Sequence, residues 1–165
     1  MTTLFGHHAE GTFTYPRDER LASARSDVHA AWLAMGRAIF GGMFVFSSIH
    51  HFMDTATMTG YAASKGVPYP EVAVLGSGML ILLGGLSLIL GAWPRAGASM
   101  IVLFLLVVTP VMHDFWNAPD QQARMGEFAN FLKNVGLLGG AGIALAIPEP
   151  WPGSVHMPAK TKAAA

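Results

Sequence analysis

Four long apolar runs, with charge only near their ends, decide what this chain can fold into. They cover roughly Trp32 to Phe52, Val72 to Ala92, Ala96 to Met112 and Phe128 to Ile147, each close to the ~20 residues a helix needs to cross the hydrocarbon core of a bilayer. A soluble four-helix protein would carry polar residues along one side of every helix at helical period, yet Val72 to Leu90 and Ile101 to Val108 contain no charged side chain. Of 165 residues, 52% are hydrophobic and 12% are Asp, Glu, Lys or Arg, about half of the roughly 25% usual in soluble domains. The expected fold is all-α, an integral membrane four-helix bundle. Trp32, Trp93, Trp116 and Trp151 stand at the ends of the runs, where an indole prefers the membrane interface.

The flanks and connections set the organisation. Residues 1–30 read as a polar cytoplasmic N-terminal tail without the apolar core of a secretory signal. Within it, Leu21 to Ala31 can extend the first span helically, with Thr14 to Pro16 as the break. Residues 31–147 form the four-span domain. Residues 148–165 form a Pro-rich cytoplasmic C-terminal tail whose Pro148, Pro150, Pro152 and Pro158 forbid regular helix. Between the first two spans, Met58, Tyr61 and Ala62 share one helical face, which predicts a short interfacial helix ended by Gly66, Pro68 and Pro70. Trp93 to Arg95 is a tight inner hairpin, and Asp114 to Glu127 reads as a polar outer loop. With the N-terminus inside, the inner side collects Arg17, Arg20, Arg25, Arg95, Lys160 and Lys162 against Lys65 and Arg124 outside, so both termini are expected in the cytoplasm.

Composition also excludes chemistry. With no cysteine in the chain there is no disulfide relay, thiolate nucleophile or cysteine-ligated metal. Zero net charge and the lack of a basic stripe argue against a nucleic-acid partner. No inverted repeat or broken-helix pair points to a transporter.

What interrupts the runs is concentrated at one end of the bundle. His50 and His51 close the first run, His113 and Asp114 close the third, and Lys133 and Asn134 lie just inside the fourth. Ionisable groups in or near hydrocarbon are costly and mark candidate sites, so His51, His113, Asp114, Lys133 and Asn134 form a candidate outer-face polar site. At ~100° per residue, Arg37, Gly41, Phe44, Ser48 and His51 fall on one stripe, and His50 points away. Ser99, Val102, Leu106, Thr109 and His113 line up in the third span, where Pro110 is placed to bend the last turn. Lys133, Gly136, Leu137, Gly140 and Ala144 line up in the fourth, with Gly136 and Gly140 a small-residue contact; Gly41, Gly84 and Gly85 are further packing positions. Arg37 reads as an intrabundle anchor or a lipid-phosphate contact. The plainer reading puts His50 and His51 among headgroups and lets Lys133 snorkel or pair with Asp114 or Glu127.

Several of these pieces resemble the DoxX family. They are Gly36-Arg37 leading to Phe46-Ser47-Ser48-Ile49-His50-His51-Phe52, the Gly84-Gly85 pair, His113-Asp114-Phe115-Trp116, and Phe131-Leu132-Lys133-Asn134 followed by Gly139-Gly140; Ala63 to Pro68 looks like the family's first outer loop. The resemblance spans roughly Arg37 to Ile147. It implies a four-helix protein of the bacterial cytoplasmic membrane, in some members part of a thiosulfate:quinone oxidoreductase and in others a membrane anchor for soluble redox or detoxifying enzymes. The chain departs from many members in having His51 where they have Lys and Ile81 where they have an acid.

Two functions are expected. The first is an accessory or scaffolding subunit of a larger membrane redox complex, in contact with lipid and partner subunits. The alternative is a quinone-interacting oxidoreductase subunit in which His51, His113, Lys133 and Asn134 hydrogen-bond the quinone and exchange protons. Haem held by His51 and His113 is a lesser reading; no other metal is expected.

Overall fold

The computed structural model describes residues 16–155, with side chains from Arg25 onward. Those residues form helices α1 (Pro16–Met53), α2 (Thr55–Ser64), α3 (Pro70–Leu90), α4 (Pro94–Met112) and α5 (Gln121–Ala146), with a 3₁₀ turn at Phe115–Asn117. Four stretches, Arg25–Met53, Pro70–Leu90, Pro94–Asn117 and Gln121–Ala146, are long and apolar enough to cross a membrane. Their outer surface suits lipid: Ile39, Phe46, Val72, Leu103 and Ile143 are all more than half exposed, an apolar area that a water-soluble monomer would not display. The protein is an integral membrane protein. Residues 1–15 and 156–165, with Lys160 and Lys162, lie outside the described residues, as do the side chains of Arg17 and Arg20.

Local signals punctuate the helices. Pro70 and Pro94 stand in the first turns of α3 and α4, where a missing N–H costs nothing and φ is already set. Gly91 closes α3 at φ +68°, a left-handed conformation that glycine adopts freely. The Asp120 carboxylate accepts the Ala123 N–H at 2.8 Å and caps α5. α5 therefore starts about two turns before the apolar run, and the outer loop expected to reach Glu127 ends at Asp120. Lys133 consequently lies ~18 Å along α5 rather than just inside its start. α4 continues through Pro110 to Met112.

α1 packs on α3, α3 on α4 and α4 on α5, while α2 lies mainly on α3. The α1–α3 crossing is close because Gly41 and Gly85 meet backbone to backbone: a Cβ on either would stand 2.6 Å from the other's carbonyl oxygen. Gly84 faces Gly97 of α4 in the same way, at 3.0 Å. Around these contacts Phe44, Ile81, Leu88, Ile101, Leu105 and Ala141 make the core.

Two inward faces differ from the sequence expectation. α4 turns Ala98, Ile101, Leu105 and Thr109 inward and leaves Ser99 and Leu106 exposed. α5 turns Asn134 and Ala141 inward, with Leu138 and Leu145 beside them, whereas Lys133 is exposed. The rotation follows from cost, since burying an ammonium among apolar side chains is far dearer than burying a neutral amide. It also undoes the expected Gly136–Gly140 contact: Gly136 faces open space, and Gly140 alone meets a neighbour, the Phe40 ring at 3.0 Å from a built Cβ. α1 and α5 meet around that ring rather than along a continuous seam.

The start of the expected C-terminal tail folds back under the end of the bundle that carries Gly91 and Pro94. Arg37 Nη2 donates to the Gly153 carbonyl at 2.7 Å, and the Val155 N–H donates to the Leu90 carbonyl at 3.0 Å. Trp151, expected at the interface, is instead 3% exposed and part of the core. Arg37 is thus an anchor, with a segment of its own chain as partner.

Candidate functional site

His51 is carried by the inward stripe of α1 behind the buried Gly41, Phe44 and Ser48. Its side chain packs over Gly78, where a Cβ would stand 2.6 Å from His51 Cβ. Gly78 is eight residues past Pro70, so this contact lies ~12 Å below the outer end of α3. His51 is 6% exposed, packed inside the bundle rather than on its surface. Nδ1 lies 3.0 Å from the Val74 carbonyl and 3.2 Å from Ser77 Oγ, and Ser77 Oγ itself donates to Val74 O at 3.0 Å. His50 is exposed and rests on its own helix, with Nδ1 3.3 Å from the Phe46 carbonyl.

Beside His51 opens a cavity of about 480 Å³, walled by Leu80, Phe104, Val107 and Val108 and covered by Met58, Tyr61 and Ala62 of α2. The face that the sequence assigns to the short helix is the one that covers this space. His51 and Ser77 mark one end and His113 the other. The His51 ring stacks edge-on to Phe104, centroids 6.3 Å apart, and His113 is nine residues further along α4, so the shaft is ~13 Å long. Levels that far apart do not suit two axial ligands of one haem iron. The volume falls within the ~300–1,000 Å³ common for small-molecule sites, and a mostly apolar lining with a few placed polar groups is the usual make-up.

The His113 end is polar and ties α2 down. His113 Nδ1 bonds Glu127 Oε2 at 2.9 Å. The Tyr61 hydroxyl lies 3.0 Å from the Met112 carbonyl and 3.2 Å from Glu127 Oε1, its proton shared between the two acceptors. Lys65 forms an ion pair with Asp114, whose other oxygen accepts from Asn117 Nδ2 at 3.1 Å. The hydrogen bond to Asp114 raises the Lys65 pKa, and burial with the neighbouring Glu127 carboxylate raises that of Tyr61.

Of the five residues singled out in the sequence, His51 and His113 line one cavity and Asp114 fastens its cover. Asn134 is buried in the bundle on α5, outside the cavity lining. Lys133 leaves the site: it is exposed and bonds Asn130 Oδ1 at 3.1 Å. The carboxylates expected for it are taken, Asp114 by Lys65 and Glu127 by His113 and Tyr61. Ser77, Lys65, Tyr61 and Glu127 belong to the site and were not singled out. Tyr61 had a signal in the shared face of α2; Ser77 had none, because one serine in an apolar run looks like filler.

The family model for DoxX matches residues 32–114. The chain belongs to the DoxX family. The match contains every cavity-lining residue from His51 to His113 and ends before Glu127 and α5, so in this DoxX protein the chamber lies within the family domain and part of its outer network lies beyond it. No curated protein and no solved structure matches the chain.

Proposed function

We propose that this DoxX-family protein is a quinone-interacting subunit of a redox assembly in the cytoplasmic membrane, taking a quinone-type ring into the chamber beneath α2. The observation that carries the reading is the chamber itself, an apolar shaft ~13 Å long with imidazoles at both ends. A ring docks against His51, apolar substituents fill the shaft, and His113 with Glu127 and Tyr61 offers a titratable route to the aqueous side. The cysteine-free chain has no thiolate or iron–sulfur group to pass electrons, so the group that exchanges electrons with the ring belongs to a partner. The excess of Lys and Arg in the two tails, with Arg95 in the hairpin between α3 and α4, supports both termini in the cytoplasm and the polar cover facing out.

An azide-bearing photolabel of the quinone series, applied in its reduced hydroquinone form as well as oxidised, tests this. It should mark peptides around Ser77, Leu80, Phe104 and Val107, and Leu80→Trp, which fills the shaft, should abolish the labelling. Labelling confined to lipid-facing peptides, or indifferent to Leu80→Trp, would defeat the proposal.

A second reading, an accessory subunit that holds partners, is favoured by α5. Lys133 is exposed there with a neutral amide as its hydrogen-bond partner, and Gly136 and Gly139 beside it face open space. An ammonium in that setting gains from a carboxylate on a neighbouring subunit.

A further inference from the structure

The hydrogen bonds around His51 decide which oxidation state and functional group the chamber accepts. A backbone carbonyl only accepts, so the atom 3.0 Å from Val74 O must carry a proton, and that atom is His51 Nδ1. Ser77 does not reverse this, because its hydroxyl lies 3.0 Å from the same carbonyl and donates to it. With the proton of the neutral ring on Nδ1, Nε2 is a bare acceptor, and the lining contains no carboxylate to pair with a charged ring.

His51 lines the chamber, and Nε2 is the ring nitrogen left over from the bonds to Val74 and Ser77. Among the described residues Nε2 has no hydrogen-bond partner, and the side-chain atoms that are both sealed and unpartnered are Arg37 Nη1 and Thr59 Oγ1, not this one. Its surroundings offer no proton to a carbonyl oxygen: the Ser77 hydroxyl is spent on Val74, and the other walls there are apolar side chains such as Leu80 and Phe104.

We infer that the chamber selects a hydroxyl, so that its ligand is an apolar molecule whose O–H donates to His51 Nε2 and, within the quinone series, is the reduced hydroquinone. This rests on the chamber being a ligand site. A carbonyl in the same place would set lone pair against lone pair, and a methyl ether would leave that nitrogen unpaired. Sites built around one polar partner reject analogues that lack it strongly, because the partner is then left desolvated and unmet.

The test uses the full chain in lipid nanodiscs under argon, with ¹⁵N-labelled histidine and ¹³C-methyl methionine. The probes are durohydroquinone, duroquinone and the dimethyl ether of durohydroquinone. Met58 and Met112 line the chamber and report occupancy. Durohydroquinone should bind at least about tenfold tighter than the other two and should move the His51 Nε2 resonance as it accepts the hydrogen bond. His51→Phe should bring its affinity down to that of the ether. His51→Gln, a milder change, should admit duroquinone as well, since an amide both donates and accepts. Equal binding of all three probes with Nε2 unmoved overturns the hydroxyl inference and leaves the chamber standing. Methionine signals that respond to no probe overturn the chamber reading and this inference together.

Discussion

At Gly41 and Gly85 there is no room for a side chain, and at Gly136 and Gly139 there is nothing but room. Gly85→Ala forces a methyl to within 2.6 Å of the Gly41 carbonyl oxygen, and since backbone faces backbone neither helix can yield without repacking. The expected cost is about 1–3 kcal/mol, the range for overpacking a close contact, read as a lower midpoint in thermal unfolding of the purified protein. Gly136→Ala and Gly139→Ala should change that midpoint little or raise it slightly, through helix propensity. Both classes of glycine look alike in the sequence. The stripe from Arg37 to His51 was legible because its members repeat at helical spacing and end on a residue that can be buried neutral. The α5 stripe was not, because Lys133 and Asn134 are neighbours about 100° apart. Which of them turns inward depends on whether the lysine finds an acid inside, and both nearby acids already have partners on α2 and α4.

The element that controls the chamber is α2. This short helix lies mainly on α3; its polar ties toward α4 and α5 are the Lys65–Asp114 pair at its C-terminal end and the Tyr61 hydroxyl. Removing both with Lys65→Ala and Tyr61→Phe should speed amide exchange of residues 55–64 by roughly tenfold or more while leaving α3 and α4 protected. The pH dependence has a definite sign. Because the folded pKa of Lys65 is raised above 10.5, its contribution is complete below that ordinary value and is lost only as the pH climbs through the raised one. Exchange of α2, corrected for intrinsic rates, should therefore differ between wild type and Lys65→Ala by a constant factor from about pH 7 to about 9, and the difference should shrink at stronger alkali. A difference that vanishes near neutrality would mean that the pair does not hold the helix. Hydropathy made the four spans legible but placed the start of α5 too late, since Gln121, Gln122, Arg124 and Glu127 are polar although helical. The Asp120 cap was the available signal.

For the whole molecule the open question of assembly rests on one exposed lysine. If α5 faces a partner through Lys133, Lys133→Leu should remove at least one subunit that co-purifies in mild detergent, with the thermal midpoint unchanged; a protein that runs alone before and after the change would leave α5 facing only lipid. The opposite end bears on this too, because Arg37 and the buried Trp151 hold residues 147–155 across the base and leave the chamber end free of that segment. The spans follow one another in space as α1, α3, α4, α5, an arc whose two ends touch only around the Phe40 ring. Such an arc has two margins. Neighbours can be gained or lost along either one without disturbing the shaft between them, so the choice of guest and the choice of company are able to diverge independently among descendants of the same fold.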